Sequence, residues 1–240
     1  MTIMPVNNLL TREEFDALPD DGLRHELIDG VFVMTPAPGV GHQRMSAALV
    51  DVLRAAARGT ALEVLYAPVD VVLGASVVEP DIIVARSGDF TEAGLSTAPL
   101  LAVEIRSPST AWIDEGRKRT LYEEHGVASY WLLDPTAPSI AVLELVDGRY
   151  VEAATAHGDR TIEVTAPFPV TLNPAVLARG CGATDPTVRP DLGLCAMIIA
   201  CSRHLWCREH AMIMVERLGP LADVHGRWDG PAIAGMRLSL

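Results

Sequence analysis

Lysine is almost missing from this chain. Of nineteen basic residues, eighteen are arginine, and the single lysine is Lys118. A coding bias toward arginine explains the trend, but the survivor stands out. Lysine is a compact point charge whose proton affinity responds to burial, whereas arginine is a planar, permanently charged fork. Cysteine is also absent from the first 180 residues, so that region needs no disulfide or thiol chemistry. The four cysteines, Cys181, Cys195, Cys201 and Cys207, all lie in the last 60 residues. Long apolar runs are lacking, which excludes a helical membrane span. The start has no basic stretch followed by an apolar run, so no secretory leader is expected. These absences predict a cytoplasmic protein with reduced thiols.

A surplus of positive charge is lacking too. The formal charge is −12, with 25 acids against 13 bases in residues 1–180 and six of each beyond. Non-specific nucleic-acid binding draws on phosphate neutralisation, so this balance counts against a general nucleic-acid binder. Clustered carboxylates can still be neutralised by a metal, which makes the local potential more informative than the sum.

What is present reads as a mixed α/β plan around one sheet. Thr11-Arg12-Glu13-Glu14 has capping-box form and predicts a short helix to about Leu18. Asp29-Gly30 between apolar runs predicts a hairpin, and Asp147-Gly148 a second one. Gly41 to about Arg58 reads as an amphipathic helix with Met45, Leu49, Val52 and Leu53 on one face. Strands are expected over Glu63–Tyr66, Val69–Leu73, Val77–Val84, Leu100–Ile105, Ser129–Leu133, Ile140–Val146 and Tyr150–Ala153. Ser107 to Thr110 offers helix caps, and a helix is expected from Ala111 to His125, closed by Gly126.

Three acids stand among apolar strand residues. Glu26 precedes Leu27-Ile28, Asp81 precedes Ile82-Ile83-Val84, and Glu104 is enclosed by Leu101, Ala102, Val103 and Ile105. A buried carboxylate needs a cation or a metal. Each acid alone is equally consistent with a structural ion pair. Three of them followed by the only lysine form a stronger pattern. Magnesium prefers oxygen ligands and retains several waters, so one or two carboxylates suffice to hold it. The chemistry that suits this set is metal-assisted phosphodiester hydrolysis.

Several segments together resemble the Uma-two family, bacterial restriction-endonuclease-like proteins of the PD-(D/E)XK superfamily. They are Glu26-Leu-Ile-Asp-Gly30, His42-Gln43-Arg44, Glu79-Pro80-Asp81-Ile82, Val103-Glu104-Ile105-Arg106-Ser107-Pro108-Ser109-Thr110 and Tyr130-Trp131-Leu132-Leu133-Asp134-Pro135. The resemblance spans about residues 10–180. It implies a central mixed sheet flanked by helices, a magnesium or manganese site, DNA as substrate and a homodimer. It also implies that Asp81 and Glu104 are metal ligands, that Glu26 is a further metal or water contact, and that His42 is a supporting polar group. The superfamily pattern places a lysine two residues after the second acid, where this chain has Arg106. The resemblance assigns that role to Lys118 instead. A non-catalytic binding protein that keeps the fold is the alternative, supported by the acidic charge and by Arg106.

Residues 1–179 are expected to form the nuclease-like domain, with 180–240 an irregular extension, partly disordered or holding one helix. In that extension Cys195, Cys201, His204, Cys207 and His210 raise a zinc reading, but their spacing on one helix cannot easily close a tetrahedron. Arg106 reads equally well as a phosphate contact or a solvated strand-end residue. Ser107 and Ser109 read as caps rather than nucleophiles, and Tyr130 and Trp131 as core.

Overall fold

The computed structural model describes residues 9–19, 23–107 and 114–180. The zinc candidates of the extension, Ser109 and the expected helix start at Ala111 lie outside the described residues.

The expected α/β class is present, but the strands divide between two large mixed sheets. The first sheet contains β1 (Arg24–Ile28), β2 (Val31–Thr35), β4 (Val71–Leu73), β5 (Ser76–Val78), β7 (Phe90–Thr91) and β8 (Gly94–Leu95), in the order β2-β1-β5-β4-β8-β7. The second contains β3 (Leu62–Tyr66), β6 (Ile82–Arg86), β9 (Leu101–Ile105), β10 (Ser129–Asp134), β11 (Ser139–Val146) and β12 (Arg149–His157), in the order β12-β11-β10-β9-β6-β3. A small hairpin, β13 (Ile162–Val164) with β14 (Val170–Leu172), follows. The helices are α1 (Arg12–Asp16), α2 (Val40–Ala56), α3 (Arg119–Glu124) and α4 (Pro174–Arg179).

Local signals explain most of these elements. In α1 the Thr11 hydroxyl accepts from the Glu14 amide and the Glu14 carboxylate accepts from the Thr11 amide, which completes the capping box. Asp29 (φ 51°) and Gly30 (φ 76°) form the left-handed pair of a tight hairpin and set the register Glu26↔Val33. A side chain at Gly30 would also meet Leu9 Cβ at 2.8 Å. Both the backbone angle and the space therefore require glycine.

The single strand expected over Val77–Val84 is interrupted. β5 ends at Val78 and pairs with β1, whereas β6 begins at Ile82 and pairs with β9. Pro80 supplies no ladder N–H, so the chain crosses between sheets at Glu79-Pro80-Asp81. Within the helix expected over Ala111 to His125, Asp114–Lys118 is a π-helical turn that continues into α3.

The second sheet supports the main apolar core. Met45, Leu49 and Leu53 of α2 pack with Leu101, Val103 and Ile105 of β9, Ile82 and Val84 of β6, and Trp131 of β10. Val52, expected on that face, is only partly buried. The alternate residues Ala102, Ile83 and Tyr130 join a second core with Leu121 and Tyr122 of α3. This alternation follows from the period of two along a strand. It sends Glu104 to the same side as Ala102.

Candidate metal and phosphate centre

The strand period also places Arg24 and Glu26 on one face of β1. Glu26 is 1% exposed. Its Oε1 accepts the Glu79 amide at 2.7 Å and stands 2.8 Å from Lys118 Nζ. Lys118, 2% exposed, donates at 2.9 Å to Glu104 Oε1. The Tyr122 hydroxyl donates to that same oxygen at 2.8 Å. One ammonium therefore links an acid of the first sheet to an acid of the second.

Asp81 lies at the crossing between the sheets. Its Oδ2 accepts the Ile105 amide at 2.7 Å and stands 3.0 Å from His42 Nε2. Its Oδ1 accepts from Arg24 Nη1 at 3.1 Å. The Ile105 bond ties Asp81 directly to the strand that carries Glu104. Arg24 also stands 3.7 Å from Glu26 and 3.5 Å from Glu79. Its Nε and the facing Glu79 Oε2 are both buried without a hydrogen bond.

The charges are strongly coupled. Burial alone would raise the Asp81 pKa, but the His42 hydrogen bond, the Arg24 charge and the Ile105 amide pull it down to about 2. Burial dominates at Glu79 and pushes its carboxyl up to about 7, against the pull of Arg24. Burial opposes the Arg24 charge, yet the carboxylates of Glu26, Asp81, Glu104 and Glu79 outweigh it and hold the guanidinium above its ordinary value. Burial, followed by the Glu104 charge, raises Tyr122 well above a normal phenol.

Four carboxylates thus face two fixed cations, Arg24 and Lys118. The remaining negative charge and the all-oxygen acidic donors suit a hard divalent cation. Among the described residues, no three His, Cys, Asp or Glu side chains gather into a ready-made cage. That donor set fits an ion held through one or two carboxylates with waters completing its shell, which is the habit of magnesium.

All five residues singled out by sequence, Glu26, His42, Asp81, Glu104 and Lys118, line one cavity of about 190 Å³. Arg24, Glu79 and Tyr122 were not among them. The i, i+2 spacing from Glu26 was an available signal for Arg24, and adjacency to Asp81 was one for Glu79. Tyr122 reaches Glu104 through the packing of α3. Arg106 lies off this cluster and reaches Asp134 Oδ2 at 3.4 Å. Tyr130 and Trp131 are fully buried, as expected. No helix among the described residues is long and apolar enough to cross a membrane.

Comparison with protein families matches residues 12–178 to Uma2, whose description is "Putative restriction endonuclease". Among solved structures, the chain is similar to a putative nuclease belonging to DUF820 from Anabaena variabilis ATCC 29413. The TM-score is 0.55 at 21% identity, covering 65% of this chain and 90% of that one. A comparison with curated proteins finds no significant match.

Proposed function

The chain belongs to the Uma2 family, and on that premise we propose that it is a magnesium- or manganese-dependent endonuclease that hydrolyses DNA. The observation that carries this reading is the meeting of Asp81, Glu104, Glu26 and Lys118 on one cavity, drawn from four separated segments.

Asp81 and Glu104 would hold the divalent ion, with Glu26 as a further contact. The ion, when bound, supplies charge stabilisation at the phosphate and lowers the pKa of a coordinated water. The chain's own groups set the stage for in-line attack. Glu26 and Glu104 fix the Lys118 ammonium so that it can orient water and offset charge developing on the phosphate. Tyr122 fixes the Glu104 carboxylate through the oxygen it shares with Lys118. His42 braces Asp81.

The arrangement favours catalysis over the binding-only alternative. The ammonium absent from position 106 is supplied at Glu104 by Lys118. The same proposal includes a homodimer in the cytoplasm, with the domain ending near residue 179 and an extension over 180–240. Light scattering on the purified protein measures the dimer.

The direct test is cleavage of supercoiled plasmid with magnesium or manganese. The protein should nick DNA, and Glu104→Gln should reduce nicking to background while the protein remains folded. Undiminished nicking by that variant would remove the site assignment.

A further inference from the structure

α3 is six residues long, Arg119–Glu124, and no side chain caps its start. A helix this short does not persist alone in water, so its place is set by what it touches. Lys118 stands at its N-cap and Tyr122 one turn later. Both donate to Glu104 Oε1, at 2.9 and 2.8 Å. A shift of α3 would therefore carry both donors away together.

The grip on α3 comes from β12, the terminal strand of the second sheet. Tyr150 stands opposite Leu145 of β11. The Leu145 amide turns away from it, to the Ala128 carbonyl at 2.9 Å. The two residues are thus a non-hydrogen-bonded pair, and the Tyr150 amide and carbonyl face out of the sheet edge. Edge groups of this kind need partners and otherwise invite another strand. Here α3 supplies both partners. The Glu123 carboxylate accepts the Tyr150 amide, and Arg119 Nη2 donates to the Tyr150 carbonyl at 3.4 Å. The Tyr150 hydroxyl donates to the Val127 carbonyl at 2.8 Å, just beyond the helix. Its ring meets that of Tyr130, which meets that of Tyr122, at centroid distances of 5.9 and 5.1 Å. Arg149 Nη1 donates to Glu123 at 2.9 Å, but its side chain is 79% exposed against 11% for Glu123. An exposed ion pair of this kind contributes little. A carboxylate bonded to a backbone amide is the stronger contact.

We propose that Glu123 is a positioning residue: by gripping the edge of β12 at Tyr150, it holds the Lys118 ammonium and the Tyr122 hydroxyl on Glu104. The consequence for cleavage rests on the nuclease reading; the consequence for the ammonium does not.

Lys118 is the only lysine, so the full chain grown with isotope-labelled lysine gives one lysine side-chain signal by NMR. In wild type the pinned side chain should show two distinct ε-methylene proton shifts and a slowly exchanging ammonium. Glu123→Ala should merge the two shifts and lose the ammonium signal. Glu123→Asp, one methylene shorter, should move the signal part of the way. Glu123→Gln keeps an oxygen that accepts the Tyr150 amide and should restore most of the wild-type signature. Arg149→Ala removes only the exposed ion pair and should resemble wild type. Leu172→Ala, in the apolar core with α2, should lower the melting temperature and leave the Lys118 signal in place. In plasmid nicking, Glu123→Ala should lower kcat by about ten- to a hundredfold at unchanged KM.

An unchanged Lys118 signature in Glu123→Ala or Glu123→Asp would overturn the proposal. Equal disturbance by Leu172→Ala would also overturn it, because general loosening would then be the cause. A disturbed signature with undiminished nicking would overturn the role in cleavage. Failure of wild type to nick plasmid would sink the nuclease reading alone, and the labelled lysine would still decide the grip on the ammonium.

Discussion

The two faces of β9 are equally dry and chemically opposite. Leu101, Val103 and Ile105 enter an apolar layer with α2, whereas Glu104 points the other way among Lys118, Tyr122 and Glu26. Val103 is 0% exposed and Glu104 only 2%. On the first face, burial itself is favourable, at roughly 25 cal/mol per Å² of apolar surface. On the second, burial costs free energy that ion pairing and hydrogen bonds must offset. One strand thus separates an apolar layer from a layer of buried, paired charge. The comparison teaches that the acidic layer depends on completeness, since each group there is tolerable only while its partners remain.

The largest expected break is Lys118→Met without divalent ions. It leaves Glu26 and Glu104 buried without their shared cation and should cost about 3–5 kcal/mol in urea unfolding. Adding Glu26→Gln and Glu104→Gln should recover most of that loss. A single-variant cost near zero would show that the acidic layer is not coupled. On the opposite face, Leu49→Ala should cost about 2–5 kcal/mol through lost burial and a cavity. That loss should be the same at pH 5 and pH 8, because Leu49 packs among apolar side chains. A strongly pH-dependent loss would merge the two layers that the structure separates.

The smallest effect concerns Glu79. Its carboxyl is raised from an ordinary 4.5 to about 7, chiefly by burial. A group raised on folding adds stability below its unfolded pKa and loses that contribution as pH rises through its folded pKa. Glu79→Gln should therefore change little near pH 4. Above pH 7 it should stabilise the metal-free protein by on the order of 1–2 kcal/mol, as seen in denaturation profiles against pH. Asp81 acts in the opposite sense. Lowered from 3.8 to about 2, its contribution is full above pH 4 and is lost as pH falls toward 2.

Much of this was legible because local chemistry left clear marks. The capping box at Thr11, the Asp-Gly turns and the acids set among apolar residues needed no tertiary information. The solitary lysine pointed to Lys118, which is where an ammonium lies beside Glu26 and Glu104. Other features depend on long-range pairing. Val77–Val84 has the composition of one strand; Pro80 marks the break, but only the partners β1 and β9 show that its halves join different sheets. Arg24 was hidden by the abundance of arginine, although its spacing from Glu26 placed it on the same face. The π-helical turn before α3 left no mark in the hydrophobic pattern that distinguishes it from ordinary helix.

That Lys118 approaches Glu104 from a helix rather than from β9 has a wider consequence. What chemistry selects is where the ammonium sits in space, and its address along the chain is free to migrate. Arg106 stands two places after Glu104 and reaches Asp134. A search by fixed spacing for an acid followed two places later by lysine would pass over the contact between Glu104 and Lys118.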